Sequence, residues 1–163
     1  MTLHHAFIGL GANLGHPADQ IHKALSALDA HAEIQLLRAS SLYASDPIDA
    51  PGQPEYVNAV ATIDTTLTAA QLLLATQAIE AQMGRQRPYP NAPRTLDLDL
   101  LLFDDGMIDT PDLKIPHPRM HLRRFVLEPL LEIAPAVEIP GWGAAARLLP
   151  ALLDQAVYRL ATN

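Results

Sequence analysis

The sequence predicts an α+β domain, an antiparallel sheet with helices packed mainly on one face. Short apolar runs of strand length and two segments of helical periodicity occur in the order strand, helix, strand, strand, helix, strand. No repeat, low-complexity tract or linker divides the 163 residues, and 49% of them are hydrophobic, enough for one buried core. That order is the ferredoxin-like arrangement, expected as a single domain over residues 1–163.

Ala6-Phe7-Ile8-Gly9-Leu10 reads as a buried strand, ended by a tight turn over Gly11-Ala12-Asn13-Leu14-Gly15. Pro17 suits a first helical position, and Ile21, Ala24, Leu25 and Leu28 recur along one helical face. Residues 34–44 and 56–65 read as strands, the second alternating Val57, Ala59, Ala61 and Ile63 on one side. Between them, residues 45–55 hold three prolines, a glycine and two aspartates, a loop long enough to be functional. Thr68 with Gln71 is a capping box opening a helix whose face carries Leu72, Thr76, Ile79 and Met83 before Gly84 stops it. Three prolines keep residues 85–94 irregular until a last strand over 95–103. Beyond it, residues 120–133 look helical despite Pro129, and a final helix is expected over 148–160.

A net charge of −7 argues against a general nucleic-acid binder, so any anionic ligand must meet a local basic patch. The absence of cysteine excludes disulfides, thiolate metal sites and cysteine nucleophiles. The apolar run near Met1 is too brief for a signal peptide or a membrane span, and a cytoplasmic monomer is the expectation.

Strand alternation puts Asp97 and Asp99 on one face and Leu96, Leu98 and Leu100 on the other. Two carboxylates so close repel unless a cation lies between them, and oxygen-only ligands suit Mg²⁺ with substrate phosphates. An isolated Asp-x-Asp is more often a solvated strand face, but Arg85, Arg87 and Arg94 directly precede this pair in an otherwise acidic chain. Guanidinium groups beside a metal site fit phosphoryl transfer; the alternative is that they pair with Glu80 and nearby acids. Gln77 and Glu80 share a helical face that leads toward these arginines. The glycines at 9, 11 and 15 lack the dinucleotide-fold spacing, and no Gly-Lys-Ser or Gly-Lys-Thr P-loop occurs. His117 and His121 have zinc-ligand spacing, but Pro118 intervenes and no third ligand follows.

With Pro93-Arg94-Thr95-Leu96-Asp97-Leu98-Asp99 joined to Ile115-Pro116-His117-Pro118-Arg119-Met120-His121 and Arg123-x-Phe125-Val126-Leu127, the chain resembles the 6-hydroxymethyl-7,8-dihydropterin pyrophosphokinases. Gly11-Ala12-Asn13-Leu14-Gly15, Tyr56-x-Asn58, Gln77-x-x-Glu80 and Gly84-Arg85 extend the resemblance, in family order, to about Pro135. The resemblance implies that ATP and a pterin alcohol bind together, that the hydroxyl attacks the β-phosphorus, and that AMP leaves. It implies two Mg²⁺ ions on Asp97 and Asp99, and Arg85 and Arg94 on the transferred diphosphate. Gln77, Glu80, Arg94, His117 and Arg123 would surround the nucleotide. Tyr56 and Phe125 would sandwich the pterin ring, Asn58 would hydrogen-bond its edge, and the backbone of Ser45, Pro47 and Ile48 would complete the pocket. Pro90, Asn91 and Ala92 stand where many members carry a basic residue and a tryptophan. Two readings outside this family are a non-catalytic ligand sensor and an ordinary kinase that releases ADP.

Overall fold

The computed structural model describes residues 2–45, 55–84 and 96–161. The main sheet contains strands β1 (His4–Ala12), β2 (Ile34–Ala39), β3 (Tyr43–Ser45), β4 (Tyr56–Thr65), β5 (Asp97–Phe103) and β10 (Val157–Arg159). Its order is β10-β3-β4-β1-β5, every pairing is antiparallel, and β2 continues the β3 edge along the far half of β4. Strands β6 (Ile108–Asp109) with β7 (Lys114–Ile115), and β8 (Glu138–Ile139) with β9 (Gly143–Ala144), form two small ribbons.

Alternation sorts the side chains into two cores. Ala6, Ile8 and Leu10 of β1, Ala59, Ala61 and Ile63 of β4, and Leu98 and Leu100 of β5 pack under helices α1 (Pro17–Ala30) and α2 (Ala69–Gly84). Phe7, Val60, Leu101 and Leu102 face the other way. They are covered by α3 (Arg124–Ile133) through Val126, Leu127, Leu130 and Ile133, with the short helix α4 (Ala145–Leu148) beyond. Phe125 and Val126, in the first turn of α3, border the end of this face that bears Asn58, Asp97 and Asp99.

The capping box forms as its spacing predicts: Thr68 N–H donates to Gln71 Oε1 at 2.9 Å, and Gln71 N–H donates to Thr68 Oγ1 at 3.2 Å. Four expectations are corrected. The first strand does not end in a turn at Gly11; β1 runs through Gly9 and Gly11 to Ala12 because both glycines are paired on either side, with β4 and β5. Residues 34–44 are not one strand: Ser40 N–H bonds to Val60 O, its hydroxyl accepts from Val60 N–H, and the edge breaks there into β2 and β3. Residues 148–160 are not one helix, since α4 passes into a 3-10 turn containing Pro150, after which β10 leaves to pair with β3. The segment 120–133 likewise divides, into a 3-10 turn over Met120–Leu122 and α3.

Glu132 ties α3 to the β3 edge. Its carboxylate accepts hydrogen bonds from Ser41 N–H at 3.1 Å, Ser41 Oγ at 3.0 Å and Tyr43 Oη at 2.7 Å, with Arg159 3.5 Å away. Burial alone would raise its pKa, but these donors and the guanidinium outweigh burial and bring it below the ordinary 4.5. Burial first, then the Glu132 carboxylate, pushes the Tyr43 hydroxyl well above its usual 10.0, so it remains a donor.

Candidate active site

A cavity of about 230 Å³ lies between the sheet and the first turn of α3. Its floor is the sheet itself. Gly9 lies between Val60 and Asp99 in the strand register, and Gly11 between Asn58 and Asp97. A Cβ on Gly11 would stand 3.5 Å from Asn58 Oδ1, and one on Gly9 would stand 3.4 Å from Leu101 Cδ2. Bare backbone at these two positions leaves room for a flat ligand on the sheet.

Around that floor stand seven residues that the sequence singled out: Ser45, Tyr56, Asn58, Asp97, Asp99, Arg123 and Phe125. They come from β3, β4, β5 and the start of α3, so pairing and packing, not nearness in sequence, bring them together. Leu10, Ala59, Leu101 and Val126 complete the walls. Asp97 and Asp99 share one face, both half-buried, as the alternation predicts. The Arg123 guanidinium lies over the Phe125 ring at 5.5 Å from its centroid, so a cation and an aromatic face meet at one corner.

Asn58 is 4% exposed, and its Nδ2 donates to Ser45 Oγ at 2.8 Å and more weakly to Tyr43 O at 3.4 Å. Glu80 reaches from α2 to accept a hydrogen bond from Leu98 N–H at 2.8 Å, between the two aspartates. Gln77 is exposed on the same helix. Neither α2 residue lines the cavity, and neither does His117.

His117 is held against β5 by its backbone N–H, which donates to Leu101 O at 3.0 Å. Its Nδ1 accepts from Arg119 N–H at 3.1 Å, which puts the ring proton on Nε2 as a donor. Burial is the main cause that lowers the His117 pKa below 6.5; Arg123 and Arg119 add to it, against the opposing pull of Asp99. That direction favours the neutral imidazole, which can donate without adding charge. Arg85, Arg94, Pro47 and Ile48 lie outside the described residues.

Sequence reasoning missed Gly9 and Gly11 as cavity floor, because it ended the strand at Leu10 and put Gly11 in a turn. The alternation of β1 around them, Ile8 and Leu10 inward with Phe7 outward, was the signal that could have found it. It also missed Glu80 as a clamp on β5, for which the sequence carries no local signal.

The family model described as 7,8-dihydro-6-hydroxymethylpterin-pyrophosphokinase matches residues 7–135. A 2-amino-4-hydroxy-6-hydroxymethyldihydropteridine pyrophosphokinase from Pseudomonas aeruginosa is 44% identical over 154 residues, 94% of this chain and 95% of that protein. The Haemophilus influenzae protein of the same name is 41% identical, covering 95% of this chain and 97% of its own. The Folic acid synthesis protein fol1 of Schizosaccharomyces pombe is 38% identical over 83% of this chain, which spans 18% of that longer protein. Among solved structures, Plasmodium falciparum HPPK-DHPS wild type with pteroate superposes on 94% of this chain with a TM-score of 0.75 at 14% identity. This chain spans 43% of that structure's length, and the likeness speaks for the fold alone. With most of its length matched by the family model and by relatives of its own size, the chain belongs to the 7,8-dihydro-6-hydroxymethylpterin-pyrophosphokinase family and transfers diphosphate from ATP to 6-hydroxymethyl-7,8-dihydropterin in folate biosynthesis.

Proposed function

We propose that the cavity is where the pterin lies, with its ring over Gly9 and Gly11 and its hydroxymethyl group toward Asp97 and Asp99. The observation that carries this reading is the meeting of Tyr56, Asn58, Phe125, Asp97, Asp99 and Arg123 around one glycine-floored cavity. Tyr56 and Phe125 supply aromatic walls for a flat heterocycle, and Asn58 supplies a directed polar contact at its edge. The backbone near Ser45, with Pro47 and Ile48, would close that edge.

Asp97 and Asp99 would hold Mg²⁺, two ions with ATP bound. Their fit to Mg²⁺ rests on the donor set: two half-buried carboxylates share a strand face, and no group of three or more His, Cys, Asp or Glu among the described residues offers a full metal cage. Such a pair suits an ion that completes its shell with phosphate oxygens and water. When bound, the ions would offset phosphate charge and align donor with acceptor. The chain's own part is positional. Arg123 reaches the phosphates from the edge of the pterin wall, His117 donates from Nε2, and Arg85 and Arg94 contact the transferred diphosphate. Gln77 and Glu80 belong to the nucleotide side. The enzyme is proposed to act as a cytoplasmic monomer without nucleic-acid partners; no helix among the described residues is long and apolar enough to cross a membrane.

The test is to incubate the protein with ATP, Mg²⁺ and the pterin alcohol and to separate the nucleotides. Pterin-dependent AMP is expected, and Asp97→Asn should lower its rate by roughly 10²–10³ with a raised Mg²⁺ requirement. ADP as the product, or an Asp97→Asn variant with normal rate and Mg²⁺ dependence, would contradict the assignment.

A further inference from the structure

Asn58 could present either end of its amide to the cavity, and its neighbours decide which. The Tyr43 carbonyl oxygen can only accept a hydrogen bond, whereas the Ser45 hydroxyl can donate or accept. Both face the same end of the amide, so that end is the NH₂ group, at 2.8 Å from Ser45 Oγ and 3.4 Å from Tyr43 O. The shorter of the two bonds is the one to serine. Oδ1 is left on the cavity side, next to the bare Gly11 backbone, and no donor among the described residues reaches it. Ser45 and Asn58 are 3% and 4% exposed, so water does not readily replace their bond.

We infer that Ser45 is a specificity-determining positioning residue. Acting through Asn58, its hydroxyl makes the cavity edge a hydrogen-bond acceptor and so selects heterocycles that present an N–H there. The exocyclic amine of a pterin meets that demand. An analogue with a carbonyl oxygen in the amine's place sets lone pair against lone pair and leaves a buried amide oxygen unpaired. Without the hydroxyl, the longer contact to Tyr43 O is the one that restrains the amide among the described residues, and the amide can tilt to accommodate either ligand. The inference rests on the pterin occupying this cavity.

The test compares two probes by calorimetry, 6-hydroxymethylpterin and its 2-oxo counterpart, 6-hydroxymethyllumazine, in the presence of Mg²⁺ and a non-hydrolysable ATP analogue. Wild-type protein should prefer the amino compound. Ser45→Ala should narrow that preference by about tenfold, chiefly by weaker binding of the amino compound. Ser45→Cys keeps the volume but is a poor acceptor and should behave like alanine, whereas Ser45→Thr, which retains the hydroxyl, should restore the preference. Melting temperatures near wild type verify folding of each variant. An unchanged preference in Ser45→Ala and Ser45→Cys, or an equal fall in affinity for both probes, overturns the inference. Wild-type protein that binds neither probe overturns the pterin assignment of the cavity itself.

Discussion

Replacing Glu80 by alanine separates two roles for a side chain that the resemblance assigns to the nucleotide. Its Oε2 accepts the Leu98 N–H at 2.8 Å, and Leu98 lies between Asp97 and Asp99 on the edge strand β5. Leu98 is 5% exposed, so the alanine variant strands a buried donor. An unsatisfied buried N–H costs about 1–3 kcal/mol. At roughly 2–4 °C per kcal/mol for a domain of this size, the melting temperature should fall by about 2–12 °C. The release also loosens the strand that carries both carboxylates, and a displacement of about 1 Å at a reacting centre costs on the order of 10²-fold in rate. The expected kinetic signature is thus a lowered kcat and a raised Mg²⁺ requirement, with little change in the KM for ATP. Glu80→Gln keeps an amide oxygen as acceptor and should recover most of both losses. Steady-state kinetics at varied ATP and Mg²⁺, with thermal melts, decide the matter. A raised KM for ATP with unaltered kcat and melting temperature would refute the clamp and favour a nucleotide contact.

Glu132→Ala removes three donors' acceptor at once and leaves the Tyr43 hydroxyl buried, so a loss of about 2–4 kcal/mol is expected, read as a lower urea midpoint. Because the folded carboxyl titrates below 4.5, its contribution is complete above pH 4.5 and disappears as pH falls through the folded value. The stability gap between wild type and Glu132→Ala should therefore be widest well above pH 4.5 and narrow as the pH falls below it. Gly11→Leu should fold, since among the described residues its Cβ would meet only Asn58 Oδ1 at 3.5 Å, yet lose pterin binding because the side chain fills the cavity floor. Calorimetry with the pterin alcohol checks this, and retained affinity would move the ligand elsewhere.

What the sequence disclosed and what it hid divide along the range of the interactions involved. The α2 cap was legible because Thr68 and Gln71 satisfy each other within one turn, and the two faces of β5 because alternation is a property of the strand alone. The extent of β1 was not legible. Gly11 suggests a turn in isolation and is held in a strand only by Asn58 on one side and Asp97 on the other. The end of the chain misled for the same reason: Leu148 to Leu160 has apolar helical spacing, but β10 takes its conformation from the free edge of β3. Cavity membership is long-range too. Ser45, Asn58 and Asp97 could be placed in one site before the structure only by resemblance to a family, whereas the register now accounts for their proximity.

That register also sets a length. Asn58 on β4 and Asp97 on β5 both lie directly across from Gly11 on β1, two strand spacings apart, or roughly 9–10 Å between backbones. In the proposed placement, a pterin laid over Gly11 with its amino edge on Asn58 would extend across β1 and deliver its hydroxymethyl group to the carboxylates, because the bicyclic ring and substituent together are comparable to that span. On that placement the floor would measure the substrate, and an alcohol one methylene longer should still bind through ring and edge contacts while its hydroxyl overshoots. A shift of about 1 Å is worth on the order of 10² in rate, so 6-hydroxyethyl-7,8-dihydropterin should show near-normal affinity and a turnover about a hundredfold lower. Turnover equal to that of the hydroxymethyl substrate would mean that the hydroxyl is not positioned by this span, and that the metal side of the site moves to meet it.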